Sequence, residues 1–221
     1  MNEIIFLIHL LCIGVATLAS IHFGLPGLVS FLCAQAILAN LFVIKQISLL
    51  GLNATASDVY IVGSVLTLNL IQEFYGKIEA RKAIWISFAL LVFYTIVSQI
   101  HLAYLPSNSD FSQDAYHAIL SFMPRITIAS MVTYLIVQYF DTYFYGLLRT
   151  ITRGHYLTAR NMLSIGVSQL LDTVLFSILG LYGILHNIGQ VMLVSFTIKM
   201  VAMLVLAPSV MEVVKNLKKN N

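Results

Sequence analysis

Apolar residues gather in seven long runs along this chain, approximately 4–23, 26–44, 58–75, 83–104, 124–147, 161–182 and 188–211. Each is close to the ~20 residues an α-helix needs to cross a hydrocarbon core. Strict alternation of apolar and polar positions is absent, and lipid satisfies no backbone N–H or C=O, so helices are predicted throughout. Pro26 and Pro124 fall in first turns, where a missing N–H costs nothing, and Pro208 is expected to kink or end the last helix. The longest connection, 106–123, ends in "AYHAILSFM", which fits a short interfacial helix. The pattern predicts an all-α polytopic transmembrane helix bundle of about seven spans, a six-helix core plus an extra N-terminal span. It forms one domain over 1–221.

Composition agrees. The chain has 221 residues, 59% hydrophobic and 10% charged, where a soluble domain carries roughly 25% charged residues. Such a chain cannot clothe an ordinary water-facing surface, and short connections leave no room for a second domain. Asn2 and Glu3 precede the first run in place of a basic region, so that run is expected to be a retained span. Cys12 and Cys33 lie inside apolar runs, which argues against a disulfide framework.

Charge placement orients the bundle. Lys77, Arg81 and Lys82 follow the third run; Arg149, Arg153 and Arg160 follow the fifth; Lys215, Lys218 and Lys219 follow the seventh. With seven spans these places share one side, which the positive-inside rule makes cytoplasmic. The N-terminus is then outside and the C-terminus inside.

Charges within spans cost about 2.5–3.5 kcal/mol each on insertion scales, so each one asks for a reason. Asp172 and Lys199 flank the short connection near 183–187 at equal distance, about a dozen residues or roughly 18–20 Å along each helix. They are expected to meet, either as a purely structural pair or as part of a site. Asn161, Ser164, Ser168 and Asp172 recur at 3- and 4-residue steps with Gln169 close by and Phe176 continuing, and read as the wall of a polar cavity. Asn69 and Glu73 share a face of the third helix, and Tyr134, Gln138 and Asp141 a face of the fifth. Interfacial snorkelling would explain the Asn69–Glu73 cluster equally well, and solvent would satisfy Asp141. Arg125, Asp141, Asp172 and Lys199 are the candidates for charge pairing or coupling.

Several chemistries are missing. No phosphate-binding loop, no metal-ligand cluster and no nucleophile elbow occurs, so no cofactor, metal or nucleic-acid partner is expected and an enzyme reading has no residues to support it.

The ordered motifs resemble a known family. "LNLIQEFYGKIEARK" (68–82), "MPRITIASMVTYLIVQYFDTYFYGLLR" (123–149) and "RNMLSIGVSQLLDTVLF" (160–176) are similar to blocks of the queuosine precursor transporters, once called putative vitamin uptake transporters. "ANLFVIKQISLLGL" (39–52) and Lys199 with Pro208 match by type and order. One departure is Asn69, where the family usually has a carboxylate. The resemblance implies a bacterial inner-membrane importer of 7-deazaguanine bases such as preQ0, preQ1 or queuine. It leaves open a secondary carrier, a subunit served by a separate ATPase module, and a homo-oligomer. A guanine-type base presents a ring N–H and an exocyclic amine on one edge, and one carboxylate can accept both. Asp172 and Glu73 are the candidate acceptors, Gln138 and Gln169 the partners for its remaining polar groups, Phe176 or Tyr134 a stacking face, and Asn69 a further contact.

Overall fold

The computed structural model describes residues 1–152 and 157–202, and of Arg149 and residues 157–161 the backbone alone. Pro208, Arg153 and the lysines at 215, 218 and 219 lie outside the described residues, as do the side chains of Arg149, Arg160 and Asn161.

Helices α1 (Asn2–Ser20) and α2 (Gly24–Phe42) are joined by a 3₁₀ turn, Ile21–Phe23. Strands β1 (Gln46–Leu49) and β2 (Leu52–Thr55) follow, then α3 (Asp58–Leu102), α4 (Gln113–Leu120) and α5 (Met123–Ile151). Helix α6 (Leu157–Phe176) runs into a π-turn, Ser177–Leu181, and α7 is described over Ile188–Ala202. Four helical stretches, Asn2–Phe42, Asp58–Leu102, Gln113–Leu148 and Met162–Leu181, are long and apolar enough to cross a membrane. Large apolar side chains stand exposed along them, Ile4, Leu7, Leu11 and Val15 on α1 and Phe93, Ile96 and Ile100 on α3 among others. Water would not tolerate such faces, and lipid does. The chain is a multi-pass membrane protein.

Two glycines fold long helical stretches back on themselves. At 1.5 Å per residue, α3 would measure roughly 68 Å if straight. Instead Gly76 leaves the helix (φ 88°, ψ 169°), a conformation that suits a residue without Cβ, and the halves lie side by side. Leu66, Leu70 and Ile71 before the break pack in one cluster with Ala80 and Ala83 after it. The loop expected over Lys77–Lys82 is thus helical, and the reversal is confined to one residue. Gly24 (φ 67°, ψ −156°) turns α1 into α2 in the same way, and its Cα region lies against the Tyr75 hydroxyl beside the second reversal.

The opposite end of the bundle carries an antiparallel ribbon in register Gln46↔Thr55 to Leu49↔Leu52. Leu50 and Gly51 form its two-residue turn, both at positive φ (52° and 79°), the geometry that matches strand twist. This ribbon is a departure from the all-α fold predicted from the apolar runs. It ties several elements together. Asn2 Nδ2 donates to Ser48 O (2.9 Å) and Leu50 N–H to Glu3 Oε1 (3.0 Å). Gln46 Nε2 donates to His186 O (2.8 Å), and Asn53 gives its backbone N–H and Nδ2 to Gln190 Oε1 (3.2 and 3.0 Å).

Helices α1, α2 and the first half of α3 meet at Gly63. The Thr17 hydroxyl donates to Ile13 O (2.8 Å) and the Thr67 hydroxyl to Gly63 O (2.9 Å), so both protons serve their own helix. Each oxygen can then accept from Gln35 Nε2 (3.4 and 3.2 Å), which fixes the amide with Oε1 facing Gly63 and, among the described residues, without a hydrogen-bond partner. On the far side, Ser130 Oγ donates to Asn40 Oδ1 (2.8 Å) and Thr95 Oγ1 contacts Thr127 Oγ1 (2.7 Å), joining α5 to α2 and α3. In the α3–α4 connection Asp110 accepts the Ser112 N–H (2.9 Å) and hydroxyl (2.8 Å), which hold its carboxyl below the ordinary carboxylate range.

Candidate functional site

Lys199 and Asp172 meet. Helices α6 and α7 form a short-turned hairpin, and Lys199 Nζ donates to Asp172 Oδ2 at 2.7 Å and to Thr173 Oγ1 at 3.2 Å. The two ends of the pair differ. Lys199 keeps 7% of its side chain exposed, Asp172 31%. Asp172 Oδ1 makes no hydrogen bond among the described residues, so one oxygen of a lipid-embedded carboxylate is held and the other is open.

Beside this pair the helices enclose a cavity of about 20 Å³ lined by residues of α3, α6, the π-turn and α7, with Thr55 from the ribbon closing one side. Of the candidate residues Phe176 and Lys199 line it, together with Thr173; Asp172 itself does not. Asp58 also lines it, a residue which the sequence pattern does not single out and which is 1% exposed. Its oxygens both lie against Ser195 Oγ, at 2.8 and 2.9 Å. Asp58 sits at the start of a run, where an acid reads as a helix-start residue. The signal that would have found it is α7 spacing, since Ser195 and Lys199 are i,i+4 and share a face.

The serine stripe on α6 does not line a cavity with Asp172. Ser164 and Ser168 are buried and both donate to Asp141 Oδ1, at 2.8 and 2.7 Å, bridging α6 to α5. Asp141 is therefore satisfied by protein hydroxyls where solvent was expected. The change of partner follows from α5–α6 packing, which turns that face of α6 toward α5.

Other candidates are dispersed. Asn69 and Glu73 are exposed, and on α3 they follow Asp58 by roughly 16 and 22 Å. The structure therefore does not bring Glu73 and Asp172 together around one ligand. Gly180 faces Ala129 across the α5–α6 interface, and with Asp141 against Ser164 and Ser168 this register sets Gln138 near the depth of Gln169 and Asp172. The Gln138 side chain is exposed and Gln169 is half-buried. Tyr134 stands edge-on to Phe88, centroids 5.1 Å apart. Arg125 spends its guanidinium on carbonyls, Nε to Leu179 O (2.9 Å) and Nη2 to Tyr182 O (2.7 Å). Among the described residues it makes no ion pair. It caps the π-turn, whose last carbonyls have no helical partner. Among the described residues no cluster of His, Cys, Asp or Glu could hold a metal ion.

Comparison with known proteins places these features in a family. The sequence model described as "Putative vitamin uptake transporter" matches residues 55–213, well over half of the chain. A protein of Bacillus subtilis (strain 168) named "Probable queuosine precursor transporter" is 34% identical over 188 residues, 82% of this chain and 82% of its own length. No solved structure matches.

Proposed function

This chain belongs to the putative vitamin uptake transporter family, and on that premise we propose that it imports queuosine precursors, 7-deazaguanine bases, across a bacterial inner membrane. The observation that carries the reading is Asp172, an ionisable residue inside a spanning helix with one oxygen on Lys199 and the other open, next to an aromatic face at Phe176. An open carboxylate oxygen suits the N–H edge of a guanine-type base, and the ring of Phe176 suits its flat face. Gln169 and Gln138 lie at a depth suited to its remaining polar groups. Asn69 and Glu73 belong to a second position, nearer the Gly76 end of α3. A cavity of about 20 Å³ has room for about one water, far below the ~300–1,000 Å³ of small-molecule sites. The arrangement is therefore a closed one, and a base enters only when α6 and α7 part from α3. We read the protein as a secondary carrier, with an ATPase module or a second copy of the chain as the partners still open.

The same reading includes seven crossings with the N-terminus outside. Breaking the long stretches at Gly24 and Gly76 and adding α7 gives seven helices, and the ribbon lies at the end opposite Lys77, Arg81 and Lys82. Single cysteines at Asn108 and Lys77 in a chain freed of Cys12 and Cys33 are expected to label from opposite sides of intact cells. Labelling of both by an impermeant reagent would contradict this topology.

Complementation tests the substrate. A strain unable to make or import precursors is expected to regain queuosine in its tRNA when given this gene and preQ0, preQ1 or queuine. No recovery with any of the three, with the protein present in the membrane, would sink the assignment.

A further inference from the structure

One carboxylate, Asp58, and one ammonium, Lys199, line the small cavity, and the ammonium is already taken by Asp172 just outside it. Lys199 binds Asp172 at 2.7 Å, while Asp58, 1% exposed, makes no ion pair among the described residues. Asp58 instead places both oxygens on one hydroxyl, at 2.8 and 2.9 Å from Ser195 Oγ. A hydroxyl brings a single hydrogen, enough for one linear bond. Both short contacts are accounted for if the carboxyl carries its own hydrogen. Its O–H then donates to Ser195 Oγ while the Ser195 O–H donates to the other carboxyl oxygen, a closed ring of two bonds.

The surroundings agree. The charged group facing Asp58 is Lys199 from α7, which carries Asp172 of α6; from the ribbon side Thr55 hydrogen-bonds to Asp58, and the Thr55 and Ser57 hydroxyls lie 2.9 Å apart. With both acids ionised, the cavity and the Asp172–Lys199 pair beside it would together carry a net negative charge, with room for about one water. One proton makes them neutral. We propose that Asp58 is the proton-carrying residue of this protein: the cavity closes beside the Asp172–Lys199 pair only with a proton on Asp58, and releases it on opening. The proton comes from water at the ribbon end and forms the Asp58 O–H. When the helices part toward the other side, that O–H bond breaks to water, and Lys199, one turn along α7 from Ser195, can face the carboxylate left behind. Closure thereby takes up one proton, so base movement and proton movement are linked. The transport half of this rests on the importer reading above; the protonation half stands apart from it.

Infrared spectra of purified protein in lipid read the protonation half. At neutral pH the C=O stretch of a protonated carboxyl is expected in the wild type, lost in Asp58→Asn and kept in Lys199→Met, which removes the ammonium that favours the ionised form. Absence from the wild type, or survival in Asp58→Asn, overturns the proposal. If Asp58→Asn does not fold, Ser195→Ala serves, since removing the hydroxyl should shift the band; an unmoved band overturns the proposal. In liposomes under an inward proton gradient, the wild type is expected to accumulate labelled queuine and acidify the lumen. Asp58→Asn should lose both while still exchanging labelled for unlabelled base. Accumulation by Asp58→Asn, or wild-type uptake without proton entry, overturns the coupling. A wild type that shows the Asp58 band yet moves no base supports the protonation half and defeats only the importer reading.

Discussion

Asp172→Asn is expected to lower membrane abundance and thermal stability sharply, and more than Lys199→Met does. Removing one partner of a buried ion pair typically costs about 3–5 kcal/mol, because the other charge is left without compensation. The two halves of this pair are not equally buried. Lys199 is 7% exposed and would keep only the Thr173 hydroxyl at 3.2 Å, so its stranded ammonium takes the full penalty. Asp172 is 31% exposed, and after Lys199→Met it can shed its charge by taking up a proton, which places that loss nearer the low end of the range. The double variant removes both charges and is expected to recover abundance beyond Asp172→Asn alone. Base uptake should stay lost in every variant lacking Asp172. Measuring abundance, melting temperature and uptake on the wild type, the two single variants and the double variant decides the matter. Strictly additive losses would mean that the pair contributes no coupling, and full uptake by the double variant would make the pair purely structural.

Gly63→Ala is the second change expected to do serious damage. An added Cβ would lie 2.3 Å from Ile13 Cγ2 and 2.7 Å from Gln35 Oε1, distances no packed core accepts. Relief must come from Ile13 on α1 or from Gln35, and Gln35 is held by Thr17 and Thr67. Overpacking of this kind typically costs about 1–3 kcal/mol. It should appear as a lower melting temperature in detergent, with Gly63→Val worse. Pairing Gly63→Ala with Ile13→Ala removes the closest contact and should restore part of the loss. Gly14 is the control, since a Cβ there meets nothing within 4 Å and Ala favours the helix. If Gly14→Ala and Gly63→Ala melt alike, the close approach at Gly63 is not holding α1, α2 and α3 together.

How far the sequence could be read follows from the kind of signal each feature leaves. Apolar runs of membrane length announce helices, and the depth of Asp172 and Lys199 follows from counting along a short hairpin. Both signals are local. The ribbon was hidden because its turn is Leu50-Gly51 rather than the Asn-Gly or Asp-Gly that marks such turns, and "ISLLGL" reads as apolar chain between spans. The reversal at Gly76 escaped because a single residue makes it, where a loop was expected. Asp58 was missed because its partner Ser195 is 137 residues away and only the packing of α7 against α3 joins them. The serines of α6 misled for the same reason: spacing shows that Ser164 and Ser168 share a face, and packing decides that the face belongs to Asp141.

Uptake of labelled base by the purified protein alone tests the central claim most directly. Reconstituted in liposomes with no ATPase partner, the wild type is expected to carry queuine or one of its 7-deazaguanine precursors inward, with excess unlabelled base competing and Asp172→Asn inactive. Well-inserted protein that carries none of these bases, or that carries them as well with Asp172→Asn, would contradict the account.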